Sequence, residues 1–247
     1  MKKLLVKPIY LVVLFFFTAW ESHAQKKDSP TVEDLLQKTV LFYESQPTYS
    51  VDLTYRLFRD TISPKTIEEY GGLFQKQGKN TYLKIDQTEF LNNERASLKV
   101  NHDQKAMLFS SPKNEAQAIS LSPLQIRQYL KSFSKKEVYS SKGAWVCKLS
   151  TPIFTQLPYG TIWIFINKKT YAIEKQRMEL TAPKGYKDEK GNFTMHRKYL
   201  EIVFSNFSET LENSARLKLS NYVHQRNGEV TVTGTYKDYD LYTTANQ

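Results

Sequence analysis

The chain has very little cysteine, histidine and glycine, and each scarcity argues against a class of protein. One cysteine, Cys147, stands among 247 residues, so no disulfide can form within the chain. The four histidines are far apart and show no His-x-x-x-His spacing, which argues against the common zinc motifs. The nine glycines form no Gly-x-Ser-x-Gly elbow and no phosphate-binding loop. We therefore expect no metal site and no cofactor.

The titratable residues also show no catalytic spacing. Glu68 and Glu69 are adjacent in a predicted strand, where neighbouring side chains point to opposite faces, so they cannot easily converge as an acid–base pair. Cys147 lies in an alternating, strand-like run and is predicted to be a buried, inert thiol. The sequence thus favours a protein that is not an enzyme. A secreted hydrolase whose site has no recognisable motif stays an alternative.

The first residues have the pattern of an export signal. Lys2, Lys3 and Lys7 precede an apolar run over residues 9–19, and Ser22-His23-Ala24 supplies a small-residue cleavage site. The run is shorter than the roughly 20 residues that a membrane-spanning helix needs, which favours cleavage over anchoring.

Residues 1–24 are therefore predicted to be a signal peptide that is removed near Ala24. Residues 25–247 are predicted to form a single domain, and residues 25–30 a flexible polar leader. A formal net charge of +10 suits an anionic surface such as phospholipid head groups. Because the lysines are scattered, solubility is the simpler reading. We expect peripheral contact with an anionic membrane at most, and no nucleic-acid partner.

Hydrophobic periodicity predicts a mostly β domain with two helices. Thr31 begins an amphipathic helix that ends before Pro47, and Ser122-Pro123 begins a second with Gln125 at the capping-box position. Two antiparallel strand meanders follow these helices, and Arg216–His224 is predicted as one of their strands. A bulge or bend is predicted at Gly71-Gly72 and a long exposed loop at Pro183–Asn192.

The most unusual strand is Ile162–Ile166, which is apolar on both faces. Antiparallel strands usually keep one face in water, so both of its faces need a cover. A central strand between a helix and loops explains this pattern, and so does a strand with one face lining an apolar cavity. The segment Tyr199–Phe204 also has apolar side chains on both of its faces.

The order of elements resembles a known family. Leu35-Leu36-Gln37-Lys38, Tyr70-Gly71-Gly72-Leu73-Phe74 and Tyr236-Lys237-Asp238-Tyr239-Asp240-Leu241 are similar in pattern to LolA/LolB-like proteins, the outer-membrane lipoprotein carriers of bacterial envelopes. The composition is typical of a secreted Bacteroidota protein. The resemblance implies an α+β, mostly β fold: a curved antiparallel sheet, or open half-barrel, with helices packed on its concave side. It also implies a periplasmic location.

The resemblance further implies a carrier for an apolar or acylated ligand, either a lipoprotein or a lipid. An envelope assembly or scaffold protein that holds a protein partner with the same fold stays an alternative, and a monomer is expected. Asp60-Thr61-Ile62 resembles a short O-glycan acceptor.

Two groups of candidate site residues follow from the sequence. The candidates for the apolar cavity are Trp163, Phe165, Met178, Leu180, Ile202 and Phe204. The basic candidates for the cavity mouth are Lys175, Arg177 and Arg197.

Overall fold

The computed structural model describes residues 29–60, 65–110, 130–151, 157–187 and 191–244. The chain divides into two compact units, Met1–Pro30 and Thr31–Gln247, and all elements named below belong to the second. The predicted signal peptide lies outside the described residues, as do Thr61 and Ile62 and most of the predicted helix that begins at Ser122. Of that helix only a 3₁₀ turn at Leu130–Ser132 is described.

One α-helix and fourteen strands are present in the described ranges. They are α1 (Val32–Ser45), β1 (Thr48–Phe58), β2 (Thr66–Gln77), β3 (Asn80–Ile85), β4 (Thr88–Asn92), β5 (Ser97–Asn101), β6 (Ala106–Ser110), β7 (Lys135–Ser141), β8 (Ala144–Ser150), β9 (Tyr159–Asn167), β10 (Ile173–Lys187), β11 (Phe193–Ser208), β12 (Val223–Arg226), β13 (Glu229–Val232) and β14 (Asp240–Thr243). The predicted mostly β composition is confirmed.

Twelve of these strands form one curved, open sheet. Their order is β14-β6-β5-β4-β3-β2-β1-β11-β10-β9-β8-β7, and β12 pairs with β13 as a separate hairpin. Chain neighbours pair along both halves of the sheet, and β1 joins the halves by pairing with β11. The predicted open antiparallel sheet is confirmed, with one difference. The short edge strand β14 runs parallel to β6.

The helix α1 forms where the sequence predicts it. The hydroxyl of Thr31 accepts a hydrogen bond from the Asp34 amide at 3.1 Å, and the Asp34 carboxylate accepts one from the Thr31 amide. This capping box satisfies amides that the first turn leaves without partners. Leu35, Leu36 and Tyr43 lie on the buried side of α1. The helix packs on one face of the sheet, which we call the helix face.

Each face of the sheet carries its own hydrophobic core. On the helix face, α1 packs against buried residues of β1, β2 and β8–β10, including Val51, Cys147 and Ile164. On the opposite face, residues of β3–β6 pack beneath residues 211–241, which we call the C-terminal cover. The two covers lie over different halves of the sheet.

Three local predictions differ from the structure. Residues 216–224 are not one strand, because 3₁₀ turns at Ser214–Leu217 and Leu219–Asn221 precede β12. The Asn213 side chain caps the first of these turns by accepting from the Ala215 amide. The predicted loop at Pro183–Asn192 is wrong for residues 183–187, which belong to β10, and residues 188–190 lie outside the described residues. The register of β10 against β11 is irregular just before Pro183. Proline has no amide proton to donate to the neighbouring strand, and strands tolerate it at such irregular positions.

The predicted bulge at Gly71-Gly72 is also absent. Both glycines pair in regular register with β1. Gly72 instead allows a close approach, because a Cβ there would lie 2.8 Å from the Lys84 carbonyl oxygen and 3.0 Å from a ring carbon of Tyr55. In the pairing of β1 with β11, the register shifts near the end of β11, where Asn206 has a φ of 52°.

Candidate functional site

The pairing register divides the apolar side chains of β9 between the two faces. Ile162, Ile164 and Ile166 lie beneath α1 and are almost completely buried. Trp163 and Phe165 alternate with them, so they lie on the opposite face and are half-buried. Both faces of β9 are covered, but by different neighbours.

The candidates on β10 and β11 belong to the helix face. Met178 pairs with Ile162, and Ile202 pairs with Gln176 of β10. Phe204 pairs with Leu53 of β1, which also belongs to the helix-face core. The structure therefore brings Met178, Ile202 and Phe204 together on one face.

Of the remaining apolar candidates, Trp163 and Phe165 do not join that group, because they are separated from it by the thickness of the sheet. Leu180 follows Met178 by two residues on β10, after a break in its register with β9.

Half-buried apolar side chains continue from these residues across the helix face. They pack against the edge of the helix-face core without being fully enclosed. We call this set the apolar strip: Tyr55, Ile85, Phe90, Leu200, Ile202 and Phe204. Burial raises the pKa of the Tyr55 hydroxyl to about 12.

The strip leads towards exposed apolar groups at one edge of the sheet. Phe90 pairs with Lys99, Lys99 with Leu108, and Leu108 with Tyr242. Leu108 is 41% exposed and Tyr242 58% exposed. The ammonium group of Lys99 lies 5.8 Å from the centre of the Phe90 ring. This row places one cation beside apolar surface on the helix face.

The helix α1 crosses the sheet at the end where β1 begins. The Tyr43 hydroxyl accepts a hydrogen bond from the Ile173 amide at 3.1 Å, and burial raises the pKa of Tyr43 to about 12. The ammonium group of Lys76, near the end of β2, donates to the carbonyl oxygens of Tyr43 and Gln46. These contacts fix the last turn of α1 at that end of the strands, and the strip extends away from it.

A pocket of about 220 Å³ opens beside this helix end. Its apolar wall includes Tyr43, Val51 and Phe204, and its rim includes Glu174 and Asn206. The left-handed backbone of Asn206 belongs to the β11 bulge, and its side-chain amide donates to the Asp52 carboxylate at 2.8 Å. Bulges often redirect side chains at functional sites.

The bulge also places an aromatic ring at the same end of the sheet. Phe207 stacks on Tyr49 with ring centres 5.5 Å apart, and it lies 5.3 Å from Phe42 of α1. No local pattern in the sequence marks this bulge, because Asn206 follows an ordinary alternating strand.

The predicted basic candidates lie on the opposite face. Lys175 and Arg177 approach Glu201 at 3.5 and 2.9 Å, and only 7% of Glu201 is exposed. The Lys175 ammonium also lies over the Phe165 ring. Arg197 approaches Glu179 at 3.9 Å. These cations are engaged on the opposite face, and the structure does not bring them to the apolar strip.

One cluster of titratable groups was not predicted from the sequence. His102 places Nε2 2.9 Å from Glu89 and Nδ1 2.9 Å from the Tyr239 hydroxyl, while Tyr222 donates to Glu89 at 3.1 Å. Tyr222 and Tyr239 belong to the C-terminal cover, and Glu89 and His102 to the sheet. The cluster therefore fastens the cover to the sheet, and the partners of the imidazole are a carboxylate and a phenol.

Two further findings bear on the kind of site present. Cys147 is buried as predicted, and burial raises the pKa of its thiol to about 12, so it is not a ready nucleophile. The described residues contain no group of three metal-binding side chains, and none of their helices combines the length and apolar character needed to cross a membrane.

Comparisons with known proteins give likeness in structure only. No family model and no curated protein sequence matches the chain. An uncharacterized conserved protein from Thermus thermophilus matches with a TM-score of 0.46 and 10% identity, over 86% of this chain and 98% of that chain. A LolA superfamily protein from Nitrosomonas europaea matches with a TM-score of 0.36 and 10% identity, over 78% of this chain and 99% of the other.

A putative outer membrane lipoprotein-sorting protein domain from Vibrio parahaemolyticus matches with a TM-score of 0.32 and 11% identity, over 72% of this chain and 91% of that chain. Because these TM-scores are all below 0.5, the matches carry no argument about this chain, and its function has to be inferred from its own residues.

Proposed function

We propose that the protein is a periplasmic, non-enzymatic carrier or binding protein for an apolar or acylated ligand. The apolar strip supports this proposal, because it leaves Tyr55, Ile202 and Phe204 half-buried on the helix face beside an apolar-walled pocket. A lipoprotein or lipid acyl chain would cover these side chains and complete their burial.

The physical chemistry of acyl chains fits a site without catalytic groups. Each methylene transferred from water to an apolar surface contributes about 0.8 kcal/mol. A dozen methylenes would contribute roughly 10 kcal/mol before the entropic cost of association. Such a site needs area and shape, and it does not need a reactive side chain.

Only some of the predicted residues are proposed to contact the acyl chain. Met178, Ile202 and Phe204 share the helix face, and Leu180 is proposed for its far end. Trp163 and Phe165 are not included, because they lie across the sheet. For the anionic head group we propose Lys99 in place of Lys175, Arg177 and Arg197, since Lys99 lies in the same row as Phe90.

Lipid extraction and mass spectrometry of protein purified from its native envelope test the proposal directly. We expect co-purified acyl chains in stoichiometric amounts. Repeated recovery of protein without lipid would contradict carriage.

A matched pair of variants on β11 tests the location of the site. Ile202 and Val203 are adjacent and both half-buried, but only Ile202 lies on the helix face. We expect Ile202→Asn to weaken binding of a dansyl-labelled fatty acid about tenfold, because a polar amide then meets the acyl chain. Val203→Asn should bind as the unsubstituted protein does, and equal losses in both variants would place the site elsewhere.

A scaffold protein that binds a protein partner is the second candidate. The exposed Leu108 and Tyr242 favour it, because they extend the apolar surface to an open sheet edge. Pull-down of a protein partner by lipid-free protein would support this candidate over the carrier.

A further inference from the structure

The strands β10 and β11 extend beyond the sheet as a two-stranded ribbon. The pairing of β10 with β9 ends at Leu180, and the pairing of β11 with β1 ends at Tyr199. Beyond these points, residues 183–187 pair with residues 193–197. We call these two segments the ribbon.

One face of the ribbon carries two large apolar side chains in water. Phe193 is 65% exposed and Met195 is 57% exposed, and their i, i+2 spacing places them on the same face. Phe193 has the largest exposed fraction among the large hydrophobic residues of the described chain. Isolated apolar residues on a surface are ordinary, but two neighbours at the end of a projecting element form a patch.

The Phe193 ring is held against the ribbon backbone by its cross-strand neighbour. A Cβ at Gly185 would overlap the Phe193 ring, so the ring occupies the space that this glycine leaves open. The far end of the ring therefore lies over the ribbon backbone at Gly185, and most of the Phe193 side chain faces solvent.

Cations accompany the apolar pair. Lys187 pairs directly with Phe193, and Arg197, whose guanidinium lies 3.9 Å from the Glu179 carboxylate, follows Met195 on the same face. The described residues of the ribbon carry no acidic side chain. In the sequence, residues 188–190 between the two segments are Asp188, Glu189 and Lys190. The described part of the ribbon thus combines an exposed apolar pair with a cation on either side.

We propose that the ribbon docks on the anionic surface of a lipid bilayer. Phe193 and Met195 would enter the head-group region, while Lys187 and Arg197 would contact the lipid phosphates. A protein partner fits less well, because a stable protein interface needs about 800 Å² on each side, and two side chains offer far less. The ribbon does not overlap the apolar strip, so this inference does not rest on the proposed cargo.

Vesicle co-sedimentation of the purified protein tests docking. We expect binding to vesicles of phosphatidylcholine and phosphatidylglycerol in equal parts at low salt, with weak binding to pure phosphatidylcholine. The double variant Phe193→Ser/Met195→Ser should lower partitioning about tenfold or more, because the tip loses the surface it would bury. Leu41→Ser is the matched control, since Leu41 is an apolar residue of similar exposure, 52%, that lies on α1 and not on the ribbon.

A second pair of variants tests the charges. Lys187→Gln/Arg197→Gln should lower partitioning to anionic vesicles roughly ten- to thirtyfold, since each basic residue near such a surface contributes about 1 kcal/mol. Lys218→Gln/Lys237→Gln removes the same charge elsewhere and should have a much smaller effect. Absence of vesicle binding, or equal binding by each variant and its control, would overturn the proposal.

A spectroscopic readout distinguishes insertion from loose electrostatic contact. We expect Phe193→Trp to gain fluorescence that shifts to the blue on anionic vesicles and is quenched by brominated lipid, with Leu41→Trp unchanged. Binding by the unsubstituted protein with no quenching at position 193 would show that another surface meets the membrane. Failure here would leave the fatty-acid binding of the apolar strip unaffected, so the two proposals fail separately.

Discussion

Two adjacent glycines on β2 differ in what a methyl group would meet. Gly72 lies beneath the Tyr55 ring, and a Cβ there would be 2.8 Å from the Lys84 carbonyl oxygen. At Gly71 a Cβ would meet nothing within 4 Å. Tyr55 belongs to the apolar strip, so Gly72 helps to set the shape of the proposed site.

We expect Gly72→Ala to lower the free energy of unfolding by about 1–3 kcal/mol, because either the backbone of β3 or the Tyr55 ring must move. Gly71→Ala should change it by about 0.5 kcal/mol or less. Urea denaturation followed by circular dichroism measures both. Similar losses in the two variants would show that chain entropy, and not the close approach, determines the cost.

At the scale of single elements, the C-terminal cover is held by polar contacts as well as by its apolar core. Tyr222 is 4% exposed and donates to Glu89, which also meets His102. Burial, the charge of Glu89 and neighbouring tyrosines raise the pKa of Tyr222, so its hydroxyl stays protonated and able to donate.

We expect Tyr222→Phe to lower the free energy of unfolding by about 1–3 kcal/mol, because Glu89 loses a donor in a partly buried site. Tyr242→Phe is the control, since Tyr242 is 58% exposed on an edge strand. Chemical denaturation gives the stabilities, and hydrogen exchange of β12 and β13 shows whether the cover loosens first. An unchanged stability for Tyr222→Phe would show that the apolar core alone holds the cover.

The elements differ in how well the sequence predicts them. The cap at Thr31 and the alternation of β9 are local features, and both can be predicted because neighbouring residues determine them. The face on which each side chain lies depends on pairing between distant strands, such as β1 with β11. Composition alone therefore groups Trp163 with Met178, although the sheet separates them.

The same limit applies to residues whose role comes from tertiary contact. His102 and Glu89 lie 13 residues apart on successive turns and strands, and no motif links them. The 3₁₀ turns before β12 resemble a strand in sequence because Leu217 and Leu219 alternate with polar residues. These turns pack on the opposite-face core, where Leu217 is buried, and this tertiary packing favours the 3₁₀ conformation over a strand.

At the scale of the whole molecule, the sheet buries its two faces under different covers. The helix α1 protects one half, and the C-terminal cover protects the other. The apolar strip lies on the helix face between Phe204 and the row that ends at Tyr242. A ligand in this region would bury side chains that the described covers leave half-buried. Because it binds only the folded state, its binding free energy would add to the stability of the fold.

That coupling makes thermal unfolding a test of the proposed site. A ligand at a hundredfold excess over its dissociation constant stabilises the folded state by about 2.7 kcal/mol. For a domain of this size, we expect a fatty acid to raise Tm by roughly 5–10 °C. Ile202→Asn should lose most of this shift, because its amide disrupts the strip, and Val203→Asn should keep it. If the ligand shifts Tm equally in both variants, it binds away from the helix face; if it shifts neither the variants nor the unsubstituted protein, the strip is not a binding site for acyl chains.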